Sequence, residues 1–353
     1  MSESTLVPKL QFFGYRCATI ARSLKTLYTL PPENVDAFVK SYEIYHHDWE
    51  DETKMIESMG PDYYKEIQRK LVDYYSVLNH LCALGQVEKM YIPPAMDLKA
   101  SIIKNQSLFE KMMARDLELK PGNKALDIGC GRGRVAGHIA KLTGAMITGL
   151  NLDLDQLASA KRFAAAKGLS KQCQFIHRDL NQLPHPFPDG SLDAVYHVQV
   201  FSYAKDLQKM LDEIYRMLKP GGRFACLDWV SLANYNPKDP HHMDLMRRIK
   251  PLVGAIGTPS VEKYTQCLQN AGFKILKSEN PSVGGTQAPL IDRADKFYTR
   301  VWKAIELLVK CKILPKHFTV LFERLTRDGQ AFVEADKNQI VTSCYYLCAE
   351  KPR

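Results

Sequence analysis

The sequence predicts an α/β protein with a doubly wound, seven-stranded, mostly parallel sheet. Three observations support this prediction. Short apolar runs alternate with helical patterns from residue 124 onward. The glycine-rich stretch 129–133 joins the first apolar run to the next helical pattern. The turn Pro220-Gly221-Gly222 precedes a later apolar run, and such turns separate regular elements. We further expect a helical N-terminal cap and an insertion before the last strand.

The composition of the 353 residues indicates a globular protein, because 45% are hydrophobic and 25% are charged. A net charge of +9 favours acidic ligands, nucleic acid or an anionic membrane surface without selecting one of them. The nine cysteines are odd in number and show no CxxC pair. We therefore expect a reducing compartment, with neither disulfides nor a structural metal. No run of about 18 apolar residues occurs, so we expect no membrane-spanning helix.

The first 33 residues form a basic segment with no acid between Glu3 and Glu33. Three interpretations stay open: a helix on a membrane surface, an organelle transit peptide, or a helix packed on the core. We expect a cytoplasmic protein, either free or peripheral on the endoplasmic reticulum or another intracellular membrane. A homo-oligomer is a further open alternative.

Residues 34–120 predict a helical cap, since their apolar residues recur at mixed spacings of three and four. Pro93 and Pro94 interrupt this pattern, and Pro121-Gly122 ends it.

The core is predicted over residues 121–280, followed by a basic helical insertion or lid over 281–338 and a terminal strand over 339–353. Helical patterns fill the gaps between strands, for example Leu154–Lys167 and Leu207–Leu218. The predicted strands are Lys124–Ile128, Met146–Leu150, Cys173–His177, Leu192–Val198, Arg223–Trp229, Phe273–Glu279 and Ser343–Ala349.

The glycine loop predicts a ligand that approaches the backbone closely. Gly129, Gly131 and Gly133 follow Asp127 in a G-x-G-x-G pattern. The dinucleotide fingerprint requires glycine at position 134, where Arg134 stands, and the Lys-Ser/Thr of a phosphate-binding loop is missing. S-adenosyl-L-methionine fits instead, because its ammonium and sulfonium charges suit a carboxylate at position 127.

Residues after the next strands are placed to bind the adenosine, because parallel strands end at one edge of the sheet. Asn151 is expected to meet the ribose, with Asp153 as the acidic alternative. Asp179 is expected to accept the adenine amino hydrogens. The residues expected to flank the ring or border the cleft are Leu180, Asn181, His197 and Val198.

The sequence resembles the class I S-adenosylmethionine-dependent methyltransferases, and more narrowly the sterol C-methyltransferase family. The likeness rests on "LDIGCGRGRVAGHIAKLTGAMITGLN", "EIYRMLKPGGRFACLDWV", "GFKIL" and "YYLCAEKPR". It implies a Rossmann-like fold and transfer of a methyl group to a sterol double bond. Such enzymes then stabilise and deprotonate a carbocation.

Two parts of the family pattern are altered. The family's aromatic acidic segment Tyr-Glu-Tyr-Gly-Trp-Gly corresponds to "LCALGQVEKM", in which only Gly85 is kept. The family's acid and histidine after the fourth strand correspond to Gln199 and Tyr203. The base must then come from elsewhere, and we expect Asp228 or His197, with Tyr203 as a proton relay. The expected substrate-pocket residues are Tyr75, Gln199, Phe201 and Trp229.

Several functions remain open at this stage. The resemblance implies C-methylation of a sterol or triterpene-like lipid. The lost acidic and aromatic groups would suit an O- or N-methyltransferase on another hydrophobic molecule, and a non-catalytic cofactor-binding scaffold is a third alternative. Residues 297–322 mix apolar and basic residues and suit a lid, a membrane contact or a core-facing helix. No base-reading motif supports a nucleic-acid partner.

Overall fold

The computed structural model describes residues 3–84 and 89–353, leaving aside the side chains of residues 3–13, 15, 325 and 326. Gly85, the one position of the altered aromatic segment that keeps the family residue, lies outside the described residues. The chain divides into two compact units. The first comprises residues 1–90, 237–256 and 288–334, and the second comprises residues 91–236, 257–287 and 335–353. The domain limits derived from the sequence remain predictions.

The second unit contains one seven-stranded sheet in the order β3-β2-β1-β4-β5-β7-β6. All neighbouring strands from β3 to β5 run parallel, and β7 pairs antiparallel with both β5 and β6. This topology confirms the predicted doubly wound, mostly parallel fold. The strands are β1 (Lys124–Ile128), β2 (Met146–Asn151), β3 (Cys173–His177), β4 (Leu192–Val198), β5 (Leu218–Ser231), β6 (Lys274–Glu279) and β7 (Val341–Glu350).

Thirteen α-helices occur in the described residues. They are α1 (Glu3–Tyr28), α2 (Pro32–Ser41), α3 (Glu52–Met59), α4 (Tyr63–Leu84), α5 (Ile102–Asp116), α6 (Arg134–Thr143), α7 (Leu154–Ala166), α8 (Leu207–Met217), α9 (Pro240–Val253), α10 (Val261–Asn270), α11 (Ala288–Lys310), α12 (His317–Thr326) and α13 (Gly329–Lys337). Most of the predicted insertion is therefore helical, as expected. Single turns of 3-10 helix occur at Tyr42–His46, Phe201–Tyr203 and Val283–Gly285.

The two faces of the sheet bury separate apolar cores, because successive side chains of a strand point to opposite faces. One core contains residues of α5, α6 and α7, and its strand members include Ala125 and Tyr196. The other contains residues of α8 and α10, and its strand members include Leu126 and Val195. By this alternation Asp127 lies on the first face, whereas His197 and Asp228 lie on the second.

The first unit is helical and has an aromatic centre. The rings of Phe38, Tyr42, Tyr45 and Tyr74 contact one another with centroids 5.3–6.1 Å apart. Leu27 of α1 is fully buried. The C-terminal part of α1 is therefore packed on its unit. None of the described helices has the length and apolar character needed to cross a bilayer.

Candidate functional site

The glycine loop follows β1 directly and turns the chain into α6. Gly129, Gly131 and Gly133 all have positive φ, at 68°, 52° and 71°. Side-chain-bearing residues rarely adopt this backbone region, so the three alternating glycines are required by the turn itself. The loop ends at the carboxyl edge of the sheet, where open α/β folds bind ligands.

The three glycines meet different surroundings. A Cβ on Gly129 would lie 2.6 Å from Val200, and one on Gly133 would lie 2.8 Å from Ala160. Packing within the protein therefore excludes a side chain at both positions. A Cβ on Gly131 would have only the Gln156 Oε1 atom nearby, at 3.6 Å. Gly131 is thus the glycine whose backbone is left open for a ligand.

Asp127 is a buried carboxyl with one unsatisfied oxygen. Its Oδ2 atom has no hydrogen bond of good geometry to a described residue, although the Tyr196 hydroxyl lies near the carboxyl. Burial raises the pKa of Asp127 well above its ordinary value. The Tyr196 hydroxyl opposes this shift, and the charge of Glu110 adds to it. A cation beside Asp127 would relieve the effects of burial and of Glu110. The ammonium or sulfonium of S-adenosylmethionine is such a cation, so the residues present fit the cofactor.

Asn151 ends β2 and belongs to a hydrogen-bonded pair beside the loop. Its Nδ2 atom donates to Gln156 Oε1 at 2.8 Å. The alternative acceptor, Asp153, caps α7 by accepting the Gln156 backbone N–H at 2.7 Å, so its carboxylate is already engaged. Gln156 was missed from the sequence, although an N-cap residue followed three positions later by Gln is a known helix-start pattern.

The loop after β3 contains the residues expected near adenine. Asp179 Oδ1 accepts the Asn181 backbone N–H at 2.9 Å. Asn181 in turn bridges to the loop after β4, donating to the Tyr203 carbonyl and accepting from the Lys205 N–H, both at 2.8 Å. Leu180 and Val198 are partly buried against the two separate cores. The adenine roles of Asp179, Leu180 and Val198 remain predictions.

Arg134 replaces the third glycine of the dinucleotide fingerprint without entering the loop's open side. Its guanidinium lies 4.1 Å from the centroid of the Phe163 ring in α7. The Nη1 atom donates to the Arg132 carbonyl at 2.7 Å. This arginine therefore joins α6 to α7, where the fingerprint's glycine would serve close packing.

His197 and Asp228 lie together in the core beneath α10. His197 Nε2 is 3.0 Å from the Tyr264 hydroxyl, which lies 3.4 Å from Asp228 Oδ2. Both predicted bases are almost completely buried. Burial raises the pKa of Asp228 to about 7 and lowers the pKa of His197 well below its ordinary value. The imidazole is therefore neutral at pH 7, and sequence reasoning missed Tyr264 because it lies on a distant helix.

Gln199, at the position where the family carries an acid, forms hydrogen bonds to two other segments of the chain. Its backbone has a positive φ of 56° at the end of β4. The Nε2 atom donates to the carbonyls of Ile92 and Ser343 at 2.8 and 2.6 Å, and Oε1 accepts the Ile92 N–H at 3.1 Å. The amide thus uses donor and acceptor together, which a carboxylate cannot do.

A second amide, Gln287, holds the same segment. It is fully buried, donates to the Pro93 carbonyl at 2.8 Å and accepts from the Ser343 hydroxyl at 3.0 Å. Side chains that follow β4 and precede α11 therefore hold residues 91–95 at this edge of the sheet. We call this arrangement the amide latch, meaning Gln199 and Gln287 with the segment 91–95.

The remaining predicted site residues have mixed surroundings. Phe201 is buried and stacks on His197 with ring centroids 3.7 Å apart. Trp229 is buried and donates from Nε1 to the Thr258 hydroxyl at 2.9 Å. Tyr203 is partly exposed in the turn after β4. Tyr75 belongs to the first unit, where it packs edge-on against Tyr74. The pocket and relay roles of these residues remain predictions.

Comparisons with known proteins agree with this geometry. Residues 126–226 match the model of a family described as a methyltransferase domain. A sterol 24-C-methyltransferase of Gibberella zeae is 29% identical over 325 residues, covering 86% of this chain and 84% of that enzyme. A sterol 24-C-methyltransferase of Neurospora crassa is 36% identical over 263 residues, covering 69% of each chain. The crystal structure of the cyclase SpnF superposes with a TM-score of 0.62 at 21% identity, covering 80% of this chain and 95% of that one.

The sheet, the glycine loop with its buried carboxyl, and the matched domain define a class I S-adenosylmethionine-dependent methyltransferase. The match to SpnF shows the shared fold alone. The likeness to the fungal enzymes extends beyond the cofactor domain over more than two thirds of both chains. The chain belongs to the sterol C-methyltransferase family.

Proposed function

We propose that this enzyme methylates a carbon atom of a sterol or triterpene-like lipid. The observation that carries the proposal is the extent of the match, which covers 84% of the sterol 24-C-methyltransferase of Gibberella zeae. A match confined to the cofactor domain would support only methyl transfer, because many substrates are served by one fold.

The cofactor residues have defined tasks in this proposal. Bound S-adenosylmethionine supplies an electrophilic methyl group. The Asp127 carboxylate holds the positively charged amino-acid end, and Gly131 leaves the backbone open beside it. Asn151, oriented by Gln156, contacts the ribose, and Asp179 accepts the adenine amino hydrogens.

The electrons of a substrate double bond form the new carbon–carbon bond while the bond from sulfur to the methyl group breaks. The resulting carbocation loses a proton from a neighbouring carbon. Gln199 cannot accept that proton, because its amide is neutral and its hydrogen bonds are filled. Asp228 is the proposed acceptor, since near pH 7 about half of a carboxyl with its pKa is ionised.

The burial of Asp228 implies a relay between substrate and carboxylate, and Tyr203 is the proposed relay. His197 and Tyr264 then act as positioning residues, since they contact Asp228 or its hydrogen-bond partner in the closed core. A neutral His197 leaves the charge of an ionised Asp228 unneutralised, which favours proton uptake.

The test is incubation of the purified enzyme with methyl-labelled S-adenosylmethionine and a panel of sterols and triterpenes, followed by mass spectrometry of the products. We expect label on a side-chain carbon. Label on oxygen or nitrogen would replace this proposal with heteroatom methylation. Asp127→Ala should abolish labelling with every substrate, because it weakens cofactor binding. Asp228→Asn should reduce turnover roughly 10²–10⁴-fold while cofactor affinity stays unchanged.

A further inference from the structure

The outward side of α11 carries a stripe of exposed apolar residues. Phe297, Ala304 and Leu308 lie seven and four positions apart, which places them on one face of the helix. Leu307 lies beside this line. Phe297 is 57% exposed and Leu307 is 61% exposed. The chain continues past the helix with Ile313, which is also 57% exposed.

A different side of α11 is buried. Ile291 and Ile305 are buried, and burial raises the pKa of Tyr298 to about 12. The requirement for an apolar core-facing side is therefore met by residues other than the stripe. The sequence alone left a lid, a membrane contact and a core-facing helix open for residues 297–322. The structure shows that α11 has an apolar side beyond the one it packs.

Positive charges surround the stripe. Between residues 296 and 322 the sole acid of the sequence is Glu306. In the part of the chain that the structure describes, the exposed cations of this surface without a carboxylate partner are Arg300, Lys303, Lys310, Lys312 and Lys316. Lys303 precedes Ala304 of the stripe, and Lys310 precedes the exposed Cys311. Their long side chains can therefore extend beyond the apolar groups.

We propose that this surface, which we call the basic apolar face of α11 (residues 296–316), docks on an anionic lipid bilayer. Apolar side chains enter the boundary between headgroups and acyl chains, while the flanking cations contact lipid phosphates and carboxylates. A protein partner of average surface charge would not require so many uncompensated cations. The proposal does not depend on the identity of the methylated lipid.

The experiment is co-sedimentation of the full chain with vesicles of phosphatidylcholine alone or mixed with phosphatidylserine. We expect binding to the mixed vesicles that weakens as salt is added, because salt screens exposed charges. Lys303→Glu combined with Lys310→Glu should weaken binding at least about 25-fold, since each cation near an anionic surface contributes about fivefold. Phe297→Ser combined with Leu307→Ser should also weaken it.

Matched controls are available on α5, where Lys104 and Lys111 are exposed with the same seven-residue spacing. Their charge reversal should leave binding unchanged, as should Ile103→Ser at a residue that is 65% exposed. Lys303→Gln with Lys310→Gln is the second pair if charge reversal lowers the melting temperature.

Two results would overturn the proposal. One is wild-type vesicle binding by the Lys303 and Lys310 variants. The other is a wild-type dimer that Leu307→Ser converts to monomer in sedimentation equilibrium while vesicle binding stays unchanged. In that case the face joins two copies of this chain.

Discussion

Replacing Asp228 by Asn should stabilise the protein at neutral and alkaline pH. Burial is the main cause that raises the pKa of this carboxyl from 3.8 to about 7. The side chains around it give no positive charge: the His197 pKa is lowered by burial, and Tyr264 and Cys226 have raised pKa values. The folded state therefore ionises Asp228 only at a free-energy cost.

The sign and size follow from the two pKa values. Between pH 4 and 7 the unfolded chain releases the Asp228 proton while the folded chain keeps it, so stability falls as pH rises. Three pH units at about 1.36 kcal/mol each give a loss of about 4 kcal/mol above pH 7. Asparagine has nearly the same shape and does not titrate, so the variant avoids this loss.

The measurement is urea denaturation of the wild type and Asp228→Asn at several pH values from about 4 to 8. The advantage of the variant should grow with pH and then level off above pH 7. Asp155→Asn, at an exposed carboxyl, is the control and should follow the wild-type curve. A constant difference between Asp228→Asn and wild type at all pH values would refute the reasoning, because it would mean that the carboxylate is fully compensated in the fold.

Three further outcomes follow from the site. Gly131→Ala should fold with a strain of about 1–2 kcal/mol and should lose cofactor affinity in calorimetry. Gly133→Ala should lower the melting temperature further, because its added Cβ overpacks the core. Equal effects of the two substitutions on both measurements would contradict the different surroundings of the two glycines. Gln199→Glu should lower the free energy of unfolding by roughly 1–3 kcal/mol at pH 8, because an ionised carboxylate would face two carbonyl oxygens. At low pH the loss should be smaller. Unchanged urea midpoints would show that the amide latch does not stabilise the fold. Gln156→Leu should weaken cofactor binding about tenfold, because Asn151 would lose the hydrogen bond that orients it. Unaltered affinity in titration calorimetry would show that the Asn151–Gln156 pair does not bind the ribose.

Strands with strong local signals were predicted closely. The limits of β1, β3 and β4 agree with the sequence prediction, since each is a short, mostly apolar run between clear turn residues. The prediction for β5 was too short at both ends. Its strand begins at Leu218 and continues through the glycine turn, where Gly221 and Gly222 exchange backbone hydrogen bonds with Lys351. That partner is more than a hundred residues away, so no local pattern reveals it.

The site residues divide in the same way: a local stretch of sequence predicts some of them, whereas the roles of others depend on residues distant in the chain. The glycine loop and Asp127 follow from one short stretch of sequence. The family comparison picked out Gln199 as a departure, but its role in the amide latch depends on Ile92 and Ser343, which are distant in the chain. Nothing in the sequence marked Tyr264 as a site residue, because a lone tyrosine on an amphipathic helix most often packs in the core. Its contact with Asp228 appears only when α10 covers the sheet.

The position of β7 constrains how the chain can be made. Although β7 follows the other six strands in sequence, it lies between β5 and β6 in the sheet. During synthesis, β5 therefore presents an open edge while residues 232–340 are added, and β6 has no strand to join until β7 arrives. Open edges are templates for association with other chains. Ribosome-bound chains that end shortly before Val341 should accordingly need chaperone protection, and the sheet should acquire resistance to proteases in one late step.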